Sequence, residues 1–546
     1  MAGAPSTEGD EPLFSVRPYS IQNLIDLFAD IAGATVDAVA GKTHLVFFEG
    51  YFQDASIGAK TIVVEAEYVD HDYLEDFAAY YVRCFEDYDR KCVRMHFFNH
   101  PFSETDFRAL LSGDESKLSV EQLQRSYLGF IVTKPFPHAF VGRTCLKTYG
   151  DDGGRRRYLN VRPCTASLFG IELEVDSLAF QEQDRVVSAC ATSALWSAFH
   201  ATSALFQHSL PSPVDITRQA AEHSPVRSRV FPHSDGLLVE QMAFAIRRVG
   251  LEPLYIQGDP EDPEEPGDVR VTARVLRSSV HAYSSFGIPL ILLTGLIGPD
   301  GKHIGSHACT ITGFSVGATL NLTDPRTVLS SDRIDKLYVH DDQVGPFARM
   351  ELIEQTGLVG LTTSWGLPGL RGVIAVPFAL LVPLYNKIRI PFSNAIKLIK
   401  ALDRGLSLLR GAPGNPLQLQ QERLEWDVRL TSINEFKASI VTASHLTQEQ
   451  KVSIRLLPMP RFLWRATAST SAGVMMDVLI DATDINHGRF IRYFHVSENS
   501  LHAALEELQH VSPQQLQGSG APQQVVAIFL GLLGFLDRLN EPLSPR

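Results

Sequence analysis

The spacing of apolar residues alternates between helical and extended patterns along the first part of the chain. Helical spacing covers Ile21–Val39, whereas Thr61–Tyr68 and Tyr127–Val132 have the β-branched and apolar content of strands. The run Thr43–Phe48 also predicts a strand. We therefore expect an α+β region that ends near residue 160.

The same patterns divide the rest of the chain. Val373–Leu384 predicts a strand, and Pro391 opens a predicted helix, since proline is favoured in a first helical turn. The N-terminus is acidic and polar, and Ser512–Gln524 is rich in Gln, Gly, Ser and Pro, as flexible linkers are. The predicted α+β protein therefore has four parts: a disordered tail at 1–18, an α+β region at 19–160, a domain that carries the chemistry at 161–365, and an α+β region at 366–546 that contains the flexible linker near 512–524.

Composition and charge narrow the class of protein. The 546 residues carry a formal net charge of −13, so the chain lacks the basic field typical of nucleic-acid binding. It has no signal-peptide pattern, and its apolar runs are too short to cross a bilayer. Six cysteines without a Cys-x-x-Cys pair favour a reducing compartment, and the histidines at 200, 208, 223 and 233 match no metal-ligand spacing. We expect a soluble cytoplasmic protein that needs no membrane, nucleic acid, metal or other cofactor.

Cys190 opens the most informative segment. Apolar residues recur at helical spacing from Ala191 onward, and Ser188 is the predicted N-cap, which places Cys190 in the first turn. A free thiol has a pKa of roughly 8.5, and the unpaired N–H groups and partial positive charge of a helix N-terminus favour its thiolate. An isolated cysteine is more often a small buried residue, so the interpretation depends on its partners.

A base and a carboxylate follow Cys190 along the chain. His307 begins a predicted strand, where an imidazole can point into a cleft and accept the thiol proton. Asp341 lies on a later predicted strand and shares a face with the more apolar neighbours, so we expect it to point inward and orient the imidazole. Asp342 and Asp324 remain alternatives for this third position.

A glutamine before Cys190 completes the set. Gln183, with Gln181 as the weaker candidate, could donate its side-chain amide to a developing oxyanion beside the Cys190 backbone N–H. Each residue alone is a weak signal. Their order is more specific: a glutamine, a cysteine that opens a helix, a histidine that opens a strand, and an aspartate that ends a later strand.

With these motifs the chain resembles the papain-like cysteine peptidase superfamily, and most closely the bacterial peptidases related to those that remove double-glycine leader peptides from bacteriocins. The resemblance covers about residues 180–350 and rests on Gln183, Cys190-Ala-Thr-Ser-Ala-Leu-Trp, Gly236–Gly250, Gly287-Ile-Pro-Leu-Ile-Leu-Leu, His307-Ala-Cys-Thr-Ile-Thr-Gly-Phe and Tyr338-Val-His-Asp341-Asp. It implies a papain-like core, in which a helix bearing the thiol at its N-terminus packs on an antiparallel sheet bearing the histidine and the aspartate. The family's glutamine lies six residues before its cysteine, a position that is Asp184 here.

The resemblance also implies a reaction. Cys190 would attack an amide carbonyl to form a thioester, and His307 would protonate the leaving amine and then activate water. We therefore expect a cytosolic cysteine peptidase or amide hydrolase that acts on a protein or peptide through Cys190, His307 and Asp341, with Gln183 in the oxyanion hole. Two alternatives stay open: a thiol acyltransferase with the same triad, and a catalytically silent papain-like module that binds proteins.

Overall fold

A computed structural model of the chain describes residues 13–184, 186–223, 231, 236–258, 271–317, 320, 326–355, 358–363, 372–410, 422–444, 446–483 and 491–496. The chain divides into two compact units. The first comprises Met1–Ala273, Gly287–Val316 and Asp335–Pro383, and the second comprises Arg274–Phe286, Gly317–Ile334 and Leu384–Arg546. Both contain helices and antiparallel strands, which confirms the predicted α+β class.

The strands, in chain order, are β1 (Phe14–Pro18), β2 (Thr61–Tyr68), β3 (Cys92–Phe98), β4 (Tyr127–Thr133), β5 (Val141–Leu146), β6 (Arg156–Arg157), β7 (Arg162–Leu168), β8 (Ile171–Ser177), β9 (Leu251–Ile256), β10 (Leu290–Ile297), β11 (His303–Val316), β12 (Val328–Leu329), β13 (Ile334–Asp341), β14 (Gly345–Gln355), β15 (Leu358–Thr362), β16 (Ile374–Tyr385), β17 (Glu425–Ser432), β18 (Phe462–Thr470), β19 (Gly473–Asp481) and β20 (Ile491–Val496). The helices are α1 (Ile21–Ala32), α2 (Val36–Ala40), α3 (Thr43–Gln53), α4 (His71–Ala79), α5 (Glu104–Leu111), α6 (Val120–Ser126), α7 (Cys190–Phe206), α8 (Pro213–Ala221), α9 (Val239–Arg248), α10 (Ala273–Ser284), α11 (Phe392–Arg410), α12 (Ile433–Thr442) and α13 (Gln448–Leu456).

Some predicted segments can be compared with these elements and others cannot. Residues 14–18 form β1, so the predicted disordered tail does not extend to residue 18. Residues 1–12 of that tail and the predicted linker near 512–524 lie outside the described residues. The strand predicted at Val373–Leu384 and the helix predicted after Pro391 are confirmed as β16 and α11.

The first unit contains a five-stranded antiparallel sheet in the order β1-β2-β3-β4-β5. Buried residues of α1 and α3 share one apolar cluster with residues of this sheet. Local signals set the ends of α1: the Ser20 hydroxyl accepts the Asn23 N–H at its start, and Gly33 ends it in the left-handed region at φ 62°. The helical spacing predicted over Ile21–Val39 therefore corresponds to two helices, α1 and α2, separated at Gly33.

The strand predicted at Thr43–Phe48 is wrong, because these residues form the first half of α3. Leu45, Phe48 and Phe52 are buried at helical intervals, and Thr43, His44 and Tyr51 are buried beside them. A helix that is buried over much of its circumference gives a nearly continuous apolar run. Such a short run looks the same as that of a buried strand.

A second sheet in the first unit places α7. Its strands run in the order β10-β11-β13-β14-β15-β16, and β10 also pairs with β16, so six strands form a closed ring, with β9 beside β16 and β6 beside β11. Helix α7 packs against β10 and β11. The Thr310 hydroxyl on β11 donates to the Ala194 carbonyl of α7 at 2.7 Å. This bond ties the helix that begins at Cys190 to the strand that carries His307.

The second unit has its own sheet and core. Its strand order is β12-β17-β18-β19-β20, in which β12 pairs with β17 in parallel and the other pairs are antiparallel. The buried Trp426 indole donates to Asp403 Oδ1 at 2.9 Å, and the buried Trp464 indole donates to the Ile390 carbonyl at 2.9 Å. Each of these hydrogen bonds offsets the cost of removing the indole N–H from water, so the large side chain can be buried in the core.

None of the helices in the described part of the chain is long and apolar enough to cross a membrane.

Candidate active site

Helix α7 begins at Cys190, so this thiol lies at the first residue of the helix. The predicted N-cap is wrong: the cap position is Ala189, which makes no side-chain capping bond, and Ser188 lies one residue earlier. Because no side-chain acceptor occupies this end, the first N–H groups of α7 and the positive end of its dipole face the partly exposed Cys190. Both favour negative charge on an oxyanion that forms beside the sulfur.

Asp184 organises the loop that leads into α7. Its Oδ1 accepts the backbone N–H groups of Val186, Val187 and Ser188 at 2.9, 2.8 and 2.8 Å, and its Oδ2 accepts the Tyr81 hydroxyl at 2.6 Å. The loop has no strand or helix partner for these N–H groups, so the carboxylate replaces one. The sequence prediction overlooked this role. An aspartate shortly before a helix, in the sequence Asp-Arg-Val-Val-Ser, was the available signal.

Replacing Asp184 by alanine is expected to destabilise the first unit by about 1–3 kcal/mol, because three loop N–H groups lose their acceptor. It should also slow alkylation of Cys190, since the loop that positions the start of α7 becomes mobile. Denaturant unfolding and the Cys190 alkylation rate are the measurements. Tyr81→Phe is the matched control: it removes one bond to the same carboxylate and should cost only about 0.5–1.5 kcal/mol. Equal effects of the two variants would contradict the assignment.

The His307 ring connects the thiol to a carboxylate. Its Nε2 lies 3.0 Å from Asp341 Oδ1, and the same oxygen accepts the Gln343 N–H at 3.1 Å, which fixes the carboxylate. The Cys190 thiol is a second neighbour of the ring and acts to raise its pKa. Three segments distant in sequence therefore converge on one imidazole, in the order expected from the sequence.

The electrostatics favour a charged imidazole. Burial alone would lower the pKa of His307, but the carboxylate of Asp341, the hydrogen bond with Cys190 and the more distant Asp342 together raise it well above its ordinary value. The effects of Asp341, Cys190 and Asp342 on the pKa of His307 together outweigh the effect of burial. An imidazolium held in this way stabilises a thiolate next to it.

Asp342 is the more distant of the two carboxyl groups. Its Oδ1 lies 3.8 Å from His307 Nε2, against 3.0 Å for Asp341. Its carboxyl group is buried and accepts no hydrogen bond from another described residue. Burial raises the pKa of Asp342 to about 7. The charge of Asp341 also raises this pKa, whereas the charge of His307 lowers it. Asp341 is therefore the better partner for the imidazole, as predicted. The face argument behind that prediction was incomplete, because β13 is buried on both faces here.

The raised pKa of Asp342 predicts a pH-dependent stability. Between the ordinary carboxyl pKa of 3.8 and the folded value of about 7, the folded state holds a proton that the unfolded state has released. The stability that this proton gives at low pH is therefore lost as the pH rises towards 7, with a slope of at most about 1.4 kcal/mol per pH unit. Asp342→Asn removes this titration. The free energy of unfolding of Asp342→Asn relative to wild type should rise between pH 4 and 7 in denaturant titrations, and a constant difference would contradict the assignment.

Two further histidines form hydrogen bonds to the backbone around Asp342. His44 of α3 donates from Nε2 to the Asp342 carbonyl at 2.9 Å, which joins the N-terminal helices to the end of β13. His340 donates to the Leu178 carbonyl at 2.9 Å and accepts the Phe347 N–H at 3.1 Å. Burial lowers the pKa of both rings, which keeps them neutral in these roles. Neither was singled out from the sequence, because their partners come from distant segments.

The glutamine candidates lie near the loop before α7. Gln183 is half-buried and lines a cavity of about 470 Å³, together with Lys42, His44, Asp184 and other residues. Gln181 is buried, and its side-chain nitrogen has no hydrogen-bond partner among the described residues. Gln183 thus borders open space, whereas Gln181 is enclosed. Asp324, the rival third member, lies outside the described residues.

A second thiol lies close to the same groups. Cys309 is two residues after His307 on β11 and is buried. Burial raises the pKa of the Cys309 thiol strongly, and the charges of Asp341, Asp342 and Cys190 add to this effect although His307 opposes it. Cys309 therefore stays protonated, whereas Cys190 has the helix N-terminus and partial exposure that a nucleophile needs.

The same cluster could also be considered for a metal ion. His307, Asp341 and Asp342 offer ligand atoms that all lie within 4.8 Å of one another. However, the ring nitrogen nearest the carboxylates is already hydrogen bonded to Asp341. Two other histidines, in and just after α7, have partners of their own: His200 accepts from Arg162 at 2.6 Å, and His208 bonds the Thr202 hydroxyl at 2.9 Å. The arrangement fits an oriented imidazole better than a ligand set.

No protein-family model matches this sequence, and no curated protein matches it either. The interpretation of the site therefore depends on its geometry and chemistry.

Proposed function

We propose that this chain is a papain-like cysteine hydrolase that cleaves an amide bond in a protein or peptide. Cys190 is the nucleophile, His307 is the general base and acid, and Asp341 positions the imidazole. The observation that carries the proposal is the 3.0 Å contact between Asp341 Oδ1 and His307 Nε2. The Cys190 thiol is a further neighbour that acts on the pKa of the same ring. A nucleophile, a base and an orienting carboxylate within hydrogen-bond reach form a catalytic triad.

The surrounding architecture supports a papain-like core. Helix α7 begins at Cys190 and packs on β10 and β11, and His307 and Asp341 lie on strands of the same sheet. The bond from Thr310 to Ala194 fixes the helix against the histidine strand. A rigid helix and a rigid sheet can hold the sulfur and the imidazole within the small tolerance that proton transfer requires.

The reaction follows from the roles of these groups. The Cys190 thiolate attacks the amide carbonyl, and N–H groups at the start of α7 stabilise the oxyanion. The C–N bond breaks as His307 gives its proton to the leaving amine, which leaves a thioester on Cys190. The neutral imidazole then takes a proton from water, the resulting hydroxide attacks the thioester, and the acid product departs as the thiolate and imidazolium reform.

A peptidyl vinyl sulfone library tests the proposal on the full chain. We expect covalent labelling at Cys190 only, and loss of that label in Cys190→Ser. Cys84 provides the matched comparison, because it is partly exposed but lies outside the site: iodoacetamide should modify it equally in both proteins.

A peptide-library digestion gives the second readout, in which product masses distinguish hydrolysis from transfer to an added amine. Equal labelling of Cys84 and Cys190, or the same digestion by Cys190→Ser, would contradict the proposal.

A further inference from the structure

A cavity lies between the N-terminal helices and the loops that flank the candidate active site. Its volume is about 470 Å³, which is within the range of roughly 300–1,000 Å³ found for ligand pockets. One part of its wall comes from residues between 37 and 44, in α2, α3 and the turn that joins them, and another from residues 182–184 before α7. Asp342 and Gln343, directly after β13, form a further part. The N-terminal region and the segments that carry the triad therefore build this cavity jointly.

The cavity adjoins the triad without containing it. Gln343, on the wall, donates its N–H to Oδ1 of Asp341, the oxygen that also contacts the His307 ring. Asp184, also on the wall, accepts the N–H groups of the loop that leads to Cys190. None of the three triad side chains is among the described residues that line the cavity. This position suits a subsite that takes a side chain of the substrate while the bond to be cleaved lies at the sulfur.

The charged groups on the wall are mostly acidic. Four carboxyl groups line the cavity, those of Asp37, Glu182, Asp184 and Asp342. Lys42 is the one lysine or arginine among the described residues that line it. Its ammonium group already pairs with Glu182 and donates to the His138 carbonyl at 2.8 Å. Lys42 thus offsets one of the carboxylates, and an acidic excess is left on the wall.

Asp37 is the carboxyl group most available to a ligand. It lies in the first turn of α2, is exposed, and its side chain forms no hydrogen bond or ion pair with another described residue. The oxygens of Asp184, in contrast, are engaged by the loop N–H groups and by the Tyr81 hydroxyl. Asp342 is buried, and its pKa of about 7 leaves it only partly charged at neutral pH. A free anion on an acidic wall favours a cationic ligand group.

We propose that this cavity is a specificity subsite that takes a lysine or arginine side chain of the peptide substrate, with Asp37 as its ionic partner. This inference rests on the proposed hydrolase function and specifies its substrate. The ammonium or guanidinium group pairs with the Asp37 carboxylate while the amide bond lies at Cys190. An acidic side chain would be repelled by the same wall. The net charge of −13 also attracts basic peptides to the protein from a distance.

Peptidyl vinyl sulfones test the subsite on the full chain, with lysine, arginine, leucine or glutamate placed in turn at each position before the reactive group. At one of these positions we expect the lysine and arginine probes to label Cys190 at least about fivefold faster than the leucine probe, and the glutamate probe to be slowest. This advantage should shrink when NaCl is raised from about 0.05 to about 0.5 M, because salt screens the charge pair. Mass spectrometry of the peptide that contains Cys190 gives each labelling rate.

Variants of Asp37 identify the ionic partner. Asp37→Asn should bring the ratio of lysine to leucine labelling close to one, and Asp37→Lys should reverse the order of the lysine and glutamate probes. Asp30→Asn is the matched control. It removes an exposed aspartate of α1 that does not line the cavity, so it changes the net charge equally but should keep the preference for basic probes.

The outcomes separate this inference from the proposed function. If Cys190 is labelled but no position favours a basic probe, the subsite is wrong while the hydrolase proposal stands. The same holds if Asp37→Asn and Asp30→Asn reduce the preference equally, because the preference would then come from net charge alone. If no probe labels Cys190, the proposed function fails and the subsite fails with it.

Discussion

Replacing His307 by alanine is expected to reduce kcat/KM for a cleavable peptide by about 10³–10⁶, and Cys190→Ala should reduce it by a similar factor. The two residues act in the same step, because the Cys190 thiol gives its proton to the His307 imidazole before the sulfur attacks. The double variant should therefore be little worse than either single variant. Steady-state kinetics on a substrate found by library profiling provide the measurement.

Cys309→Ala is the control for this prediction. It removes the neighbouring thiol, which is buried and held protonated, two residues from His307 on β11. We expect it to reduce stability by cavity formation but to keep kcat/KM within about tenfold of wild type, since no step uses this sulfur. If the losses of the two alanine variants simply multiplied in the double variant, or if Cys309→Ala abolished turnover, the proposed roles would be wrong.

The position of Cys190 at a helix start could be predicted from the sequence, because apolar periodicity is a local property. The spacing from Ala191 onward fixed where the helix could begin, and α7 does begin at Cys190. The cap was predicted wrongly because Ser188 has two competing uses. Its N–H and hydroxyl both bond to Asp184 Oδ1, so the loop carboxylate engages the residue that would otherwise cap the helix.

The contact between His307 and Asp341 was predicted from the order of the residues in the chain and from the alternation of inward and outward positions along a strand. In the structure, the pairing of two strands brings the two residues together. β11 and β13 are neighbours in the sheet, although 17 residues separate them in the chain, and no local pattern specifies that pairing. Alternation also failed as a guide to exposure, since Tyr338 and His340 are as buried as Leu337 and Val339. In a closed ring of strands with elements packed outside, both faces are covered, so polarity no longer marks the inward face.

The N-terminal elements show a further limit of sequence reasoning. Nothing in the first 160 residues indicated a role near the site, yet His44 of α3 holds the Asp342 carbonyl and Tyr81 holds Asp184. Both are long-range hydrogen bonds from side chains that look ordinary in their own segments. The site therefore depends on the N-terminal region for support, which is why variants far from Cys190 in sequence can alter its reactivity.

Asp341→Ala should reduce kcat/KM by about 10²–10³, because the imidazole loses the group that sets its tautomer and orientation. Asp341→Asn should retain most activity at neutral pH. Asp341 Oδ1 accepts from His307 Nε2 and from the Gln343 N–H, and an amide oxygen in the same place can accept both bonds. The comparison therefore separates the geometric role of Asp341 from its charge.

The charge should appear in the pH profile instead. Asp341 is the largest of the charges that raise the pKa of His307, so Asp341→Asn should lower that pKa and move the alkaline limb of kcat/KM to lower pH. A purely structural role would not shift this limb. Asp342→Asn is the matched control, because it changes a carboxyl group one residue away that lies 3.8 Å from the ring, and it should keep kcat/KM within about tenfold of wild type. If Asp342→Asn instead caused the larger loss and Asp341→Ala the smaller one, the positioning role would belong to Asp342, and the hydrogen bond at 3.0 Å would be incidental to catalysis.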